Sequence, residues 1–177
     1  MPKSAVLACF HLPFDEESHV DVDTSTMPRR IKKTTDDLFA LPCACQNLRR
    51  VTRMVTRLYD GELRKAGLEI TQFGLLTALG VVGEANQKRL SLGFELDSTT
   101  LTRTLALLEK RGWITVRRGT DRRERLFRLT PSGRQQIAAG QPHWERAERK
   151  LKRELGRTGW KRMQRTVAEV THAAAAF

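Results

Sequence analysis

A mainly α-helical fold with one small β-hairpin wing is the class that this 177-residue sequence predicts. Three observations carry the expectation. Apolar residues recur at helical spacing in several separate stretches: Val51, Met54, Val55 and Leu58; Leu101, Leu105 and Leu108; Trp160, Met163, Val167 and Val170. "WITV" and "RLFRL" are β-favouring runs separated by a short polar stretch, which reads as a hairpin. Basic charge gathers around that hairpin, with six arginines among the fourteen residues 115–128.

In chain order, residues 1–34 read as a flexible tail, an acidic "DEESHVDVD" followed by a basic "RRIKK" with no period. A helix is predicted from Pro42, stopping at Gly67. Thr71 is the expected cap of a second helix carrying Phe73, Leu75, Leu76 and Leu79, which ends between Gly80 and Gly83. A short third helix follows from Gln87 to Leu96, with Leu90 and Phe94 inward and Gly93 weakening it. Asp97 or Ser98 then caps a fourth helix that Gly112 terminates. After the hairpin, Thr130-Pro131 opens a helix reaching Leu155, with a kink expected at Pro142. Thr158 is the expected cap of a last helix.

Composition narrows the function. Net charge is +12, and residues 86–128 hold eleven basic against five acidic residues, half of that excess. Concentrated positive charge favours a polyanion through phosphate neutralisation and counterion release; on charge alone, a solubilising surface is the rival. No apolar run reaches the ~20 residues of a membrane span. Three cysteines, Cys9, Cys43 and Cys45, are too few for a disulfide scaffold, so a cytoplasmic protein is expected. No histidine stands beside a Ser or Cys at nucleophile-activating spacing, and no phosphate-cradling glycine loop occurs. The expectation is therefore a protein that is not an enzyme and takes no cofactor or metal.

The fourth helix carries the sharper signal. Opposite its leucines it presents Thr99, Thr102, Arg103, Ala106 and Lys110, small or hydroxylated side chains followed by bases. Such a face suits close approach to another surface. Ser98, Thr99 and Thr100 sit where free helix N–H groups and hydroxyls suit a phosphate. Arg103 is long enough to fork onto guanine O6 and N7. Arg117, Arg118, Arg122 and Arg123 on the hairpin suit the negative potential of a narrow minor groove. Helix, tight turn, helix and basic hairpin form a winged helix-turn-helix pattern.

Residues Leu68 to Thr130 resemble the MarR family of bacterial transcription regulators. The matching segments are "GLEITQFGLLTAL", "ELDSTTLTRTLALLEKRGWI" and "DRRERLFRLTPSGR", in which Asp121 and Arg123 match the family's D-x-R wing motif. "CACQNLRR" at 43–50 is similar to a subgroup with paired cysteines in the first helix. Leu92 and Gly93 depart from the family pattern in the third helix. The resemblance implies a homodimer built from helices at 35–66 and 131–177, with a winged domain at 67–130 on a palindromic double-stranded DNA operator. It also implies a repressor released by a small, often aromatic, acid. The effector residues expected on that basis are Cys45, Arg49, Phe73, His143 and Trp144, with Arg49 as counter-charge. A thiol-based redox sensor using Cys43 and Cys45, and a nonspecific architectural nucleic-acid-binding protein, are the alternatives. Asp121 is expected to hold Arg123 at the base of the wing.

Overall fold

The computed structural model describes residues 43–119 and 124–176. The tail, Cys9 and the wing-tip residues Asp121, Arg122 and Arg123 lie outside the described residues, so the expectations placed on them do too. The chain divides into two compact units between Val51 and Thr52. Of the first, residues 43–51 are described; they form the exposed opening turns of α1 (Ala44–Leu63).

In the second unit, α1 ends in a 3-10 turn (Arg64–Ala66) that Gly67 closes at φ 70°, a left-handed conformation suited to glycine. α2 (Ile70–Val82) is capped by Glu69, not by Thr71. The reason is tertiary: Asp60 of α1 accepts the Ile70 N–H at 2.8 Å, fixing where the helix begins. α3 (Gln87–Phe94) is shorter than expected, because Glu95 turns left-handed at φ 48° and stops it. α4 (Ser98–Lys110) starts from Asp97, whose carboxylate accepts the Thr100 N–H at 2.8 Å.

The sheet has three strands where a two-stranded hairpin was expected. β1 (Glu84–Asn86) pairs antiparallel with β3 (Arg125–Leu129), and β3 pairs antiparallel with β2 (Ile114–Arg118), in the order β1-β3-β2. "EAN" has no β-branched or aromatic residue, so pairing with β3 makes it a strand, not propensity. Ala85, Phe127 and Val116 lie abreast in register, and Phe127 is buried.

α5 (Pro131–Ala175) is opened by Thr130, whose hydroxyl accepts the Gly133 N–H at 3.0 Å. The expected kink at Pro142 is not where the backbone breaks; the non-helical residue is Gly156, at φ 66° and ψ 173°. Proline removes one N–H, and Ala138, whose carbonyl loses that donor, is exposed. Only glycine readily takes the backbone angles found at residue 156. Helical angles resume directly after Gly156, so Thr158 lies inside the restarted helix and not at its cap.

The core joins α2, α4, the sheet and α5. Leu63, Leu68, Leu75, Leu76, Leu79, Leu101, Leu105, Leu108 and Phe127 are fully buried. Each such side chain contributes about 2 kcal/mol by leaving water, and together they hold the outer face of α4 at a fixed angle. α1 and α5 are joined by charge as well. The buried Glu62 carboxylate accepts from Lys150 Nζ at 2.5 Å and Lys65 Nζ at 2.7 Å, and the Tyr59 hydroxyl donates to Glu148.

Candidate nucleic-acid interface

With Leu101, Leu105 and Leu108 facing the core, helical geometry turns Ser98, Thr99, Thr102, Arg103, Ala106 and Lys110 outward, and all six are exposed. These six residues share one outward face of the helix. Its hydroxyls are not equivalent, however. Thr100 hydrogen-bonds Asp97, whose carboxyl lies below the usual range chiefly through that hydroxyl. Thr102 Oγ1 donates to the Ser98 carbonyl at 2.6 Å, and Thr104 Oγ1 to the Thr100 carbonyl at 2.9 Å. Among the described residues no side chain pairs with Arg103 or Lys110. Arg103 therefore stands as an uncompensated cation at the middle of the face.

The hairpin arginines divide by partner. Arg117, expected to meet DNA, is held by Glu84 through Nε at 2.7 Å and Nη2 at 2.6 Å. Arg125 pairs with Glu109 at 3.3 Å and lies over the Phe127 ring. Arg118 and Arg128 are exposed. Arg111, at the end of α4, donates to the Gly67 carbonyl at 3.0 Å and packs its guanidinium over Trp113, so it fastens α4 to the turn before α2.

Two polar residues missed by the sequence reading join these parts. Asn86 caps α3 by accepting the Arg89 N–H at 2.8 Å, and its amide donates to Glu124 at the end of the wing at 2.5 Å. Next to it, Gln87 Nε2 donates to Thr102 Oγ1 at 2.8 Å. Wing, α3 and α4 are thus linked through consecutive residues. Asparagine at the start of a predicted helix was the available signal; its second bond depends on the unforeseen β1.

The expected effector residues are dispersed in role. Phe73 is buried and stacks on Trp144 at 6.4 Å between centroids. His143 Nδ1 accepts from Arg146 at 2.9 Å. Cys45 and Arg49 belong to the first unit, and Cys43 and Cys45 are both exposed free thiols. A cavity of about 750 Å³ opens along α5 at Gly156, lined by Arg146, Arg149, Lys150, Arg153, Arg157 and Trp160.

The family model described as MarR family matches residues 66–124. The chain is 36% identical over 102 residues to the HTH-type regulator YxaD of Bacillus subtilis (strain 168), a match covering 56% of this chain and 71% of YxaD. The solved structure of the M. tuberculosis transcriptional regulator MosR in complex with DNA is 31% identical, with a TM-score of 0.68, over 76% of this chain and 97% of MosR. The chain belongs to the MarR family of transcription regulators. Another B. subtilis regulator, YwoH, is 33% identical over 78 residues, which is 44% of this MarR-family chain and 57% of YwoH. These relatives of the MarR-family chain are regulators and not enzymes. Among its described residues, no group of three or more His, Cys, Asp or Glu is placed to hold a metal, and no helix is long and apolar enough to cross a membrane.

Proposed function

We propose that the protein is a homodimeric, sequence-specific repressor that sets α4 into the major groove of a palindromic operator, with its wings alongside. The observation that carries the reading is Arg103, exposed and without a side-chain partner among the described residues, flanked on its face by the small Ser98, Thr99, Thr102 and Ala106. A guanidinium so placed suits guanine O6 and N7. Thr99, Thr102, Lys110 and Arg118 are its neighbours in the proposed contact, and Arg122 and Arg123 extend it. The DNA-bound form of the similar MosR supports DNA as the partner.

Dimerisation is supported by apolar side chains left exposed on helices: Leu48 at 45%, Val51 at 55% and Met54 at 52% on α1, with Val167 at 55% and Val170 at 38% on α5. A sedimentation run that gives a stable monomer at micromolar protein would remove that part. Release by a small acid is supported by the cavity at Gly156, where Arg157, without a partner among the described residues, offers a carboxylate a counter-charge. The exposure of both Cys43 and Cys45 favours a second reading, release by oxidation. Adding peroxide and aromatic acids separately to the DNA complex distinguishes the two.

The principal test is selection of bound duplexes from random DNA, then affinity for selected and scrambled sites over a range of salt. Arg103→Ala should cost about 1–3 kcal/mol on the selected site and relax preference at one base pair. Equal wild-type affinities for selected and scrambled DNA would leave only an architectural binder.

A further inference from the structure

We propose that Thr102 reads a thymine by its methyl group and not by its hydroxyl. This deepens the reading of α4 as the base reader and rests on it. Thr102 is exposed on the outward face of α4, one position before Arg103. A threonine there ordinarily offers a hydroxyl that turns to whichever phosphate or base edge it meets. Here the hydroxyl is already engaged on both sides. Its hydrogen goes to the Ser98 carbonyl at 2.6 Å, and its oxygen accepts from Gln87 Nε2 at 2.8 Å.

Two consequences follow from those bonds. With its hydrogen committed to the helix backbone, Oγ1 has none to donate to a phosphate or to a base acceptor. With Oγ1 tethered between α4 and the first residue of α3, the side chain is held in one rotamer, so Cγ2 is fixed in place before DNA arrives. The major groove offers one apolar feature that tells base pairs apart, the C5-methyl of thymine, and a fixed methyl is its natural counterpart. The adjacent Arg103 supplies polar readout, so neighbouring residues of one helix would read by different chemistry. Gln87 acts as a positioning residue from outside the helix that does the reading.

The test uses the duplex that the full-length wild-type protein selects from random DNA, with each thymine replaced in turn by uracil, which removes only the C5-methyl. Thr102→Val keeps the methyl and loses the hydroxyl; Thr102→Ser does the reverse, and both changes are conservative and exposed. For the wild type, uracil at one particular thymine should lower affinity about fourfold, the value of one buried methyl. Thr102→Val should keep that response, and Thr102→Ser should lose it while binding the thymine and uracil duplexes alike. The proposal falls if no thymine is sensitive, if Thr102→Ser remains as sensitive as wild type, or if valine abolishes the discrimination that serine keeps. Failure of the wild type to select any sequence would overturn both this and the function proposed above; selection without a sensitive thymine overturns this alone.

Discussion

Arg117 of β2 grips Glu84 of β1 with two parallel hydrogen bonds, of 2.7 and 2.6 Å, across the intervening strand β3. The pair holds the Glu84 carboxyl below its usual range, chiefly through the hydrogen bonds from Arg117, and raises the guanidinium in turn. A cation already matched in this way releases few counterions when DNA binds. Arg117→Ala should therefore leave the salt dependence of DNA affinity nearly unchanged. Glu84→Gln, which frees Arg117, should steepen log affinity against log salt by about one ion. Salt titrations of both variants decide it, and a shallower slope in Arg117→Ala would mean that the clasp opens on DNA.

Glu62 gives the fold a pH dependence of known sign. Hydrogen bonds from Lys150 and then Lys65 lower its carboxyl from 4.5 to about 2. A group whose folded-state value is depressed adds stability above its unfolded value and loses it as pH falls toward the folded one. Wild-type stability should thus decline between pH 4.5 and about 2. Glu62→Gln should be less stable than wild type at neutral pH, and the two should converge through that window. Urea melts at stepped pH measure this; a gap between the curves that does not change with pH would remove Glu62 as its source.

Gly133 sits where no side chain fits. A Cβ there would lie 2.1 Å from the Trp113 carbonyl oxygen and 2.7 Å from Leu129 Cδ1. The carbonyl is also the acceptor for the Thr130 N–H at 3.0 Å, so it has little freedom to retreat. Gly133→Ala should cost about 3 kcal/mol by overpacking, read as a shift in the denaturant midpoint. A loss well under 1 kcal/mol would mean that α5 shifts easily away from Trp113 and Leu129.

Glu95 is the converse case. It adopts φ 48° without being glycine, the only described residue to do so. Its side chain has no described partner that would be lost on replacement. Glu95→Gly should raise stability by about 1 kcal/mol, while Glu95→Ala should give no such gain. Thermal unfolding of the two variants compares them directly; equal behaviour would place the strain elsewhere.

Local pattern made α4 legible: three leucines at helical spacing and an acidic cap fix both its extent and the face it turns outward. The same held for Thr130-Pro131 and for Gly67, where one residue's conformational preference decides the outcome. What escaped notice depends on distant partners. β1 exists because Glu84, Ala85 and Asn86 meet Arg128, Phe127 and Leu126. Without β1 nothing marked Arg117 as already paired, or Asn86 as a link to the wing. The stacking of Phe73 on Trp144, far along the chain, is invisible in either segment. Pro142 is accommodated within α5, and the break falls at Gly156 because the backbone there takes angles that only glycine readily adopts.

The strand order leaves β1 and β2 as the two open edges of the sheet. An open edge is a template for unwanted strand addition and hence for aggregation. β1 offers only three residues, too short to recruit much. β2 is longer, and its defence is the pair Arg117 and Arg118, both exposed at its far end. The charges of this edge thus also keep it from other proteins. Replacing both with valine or threonine would lengthen a neutral β-prone edge and invite precipitation. Replacement by glutamate would keep the edge charged and protected, so the acidic double variant is the one to purify when these two arginines are tested.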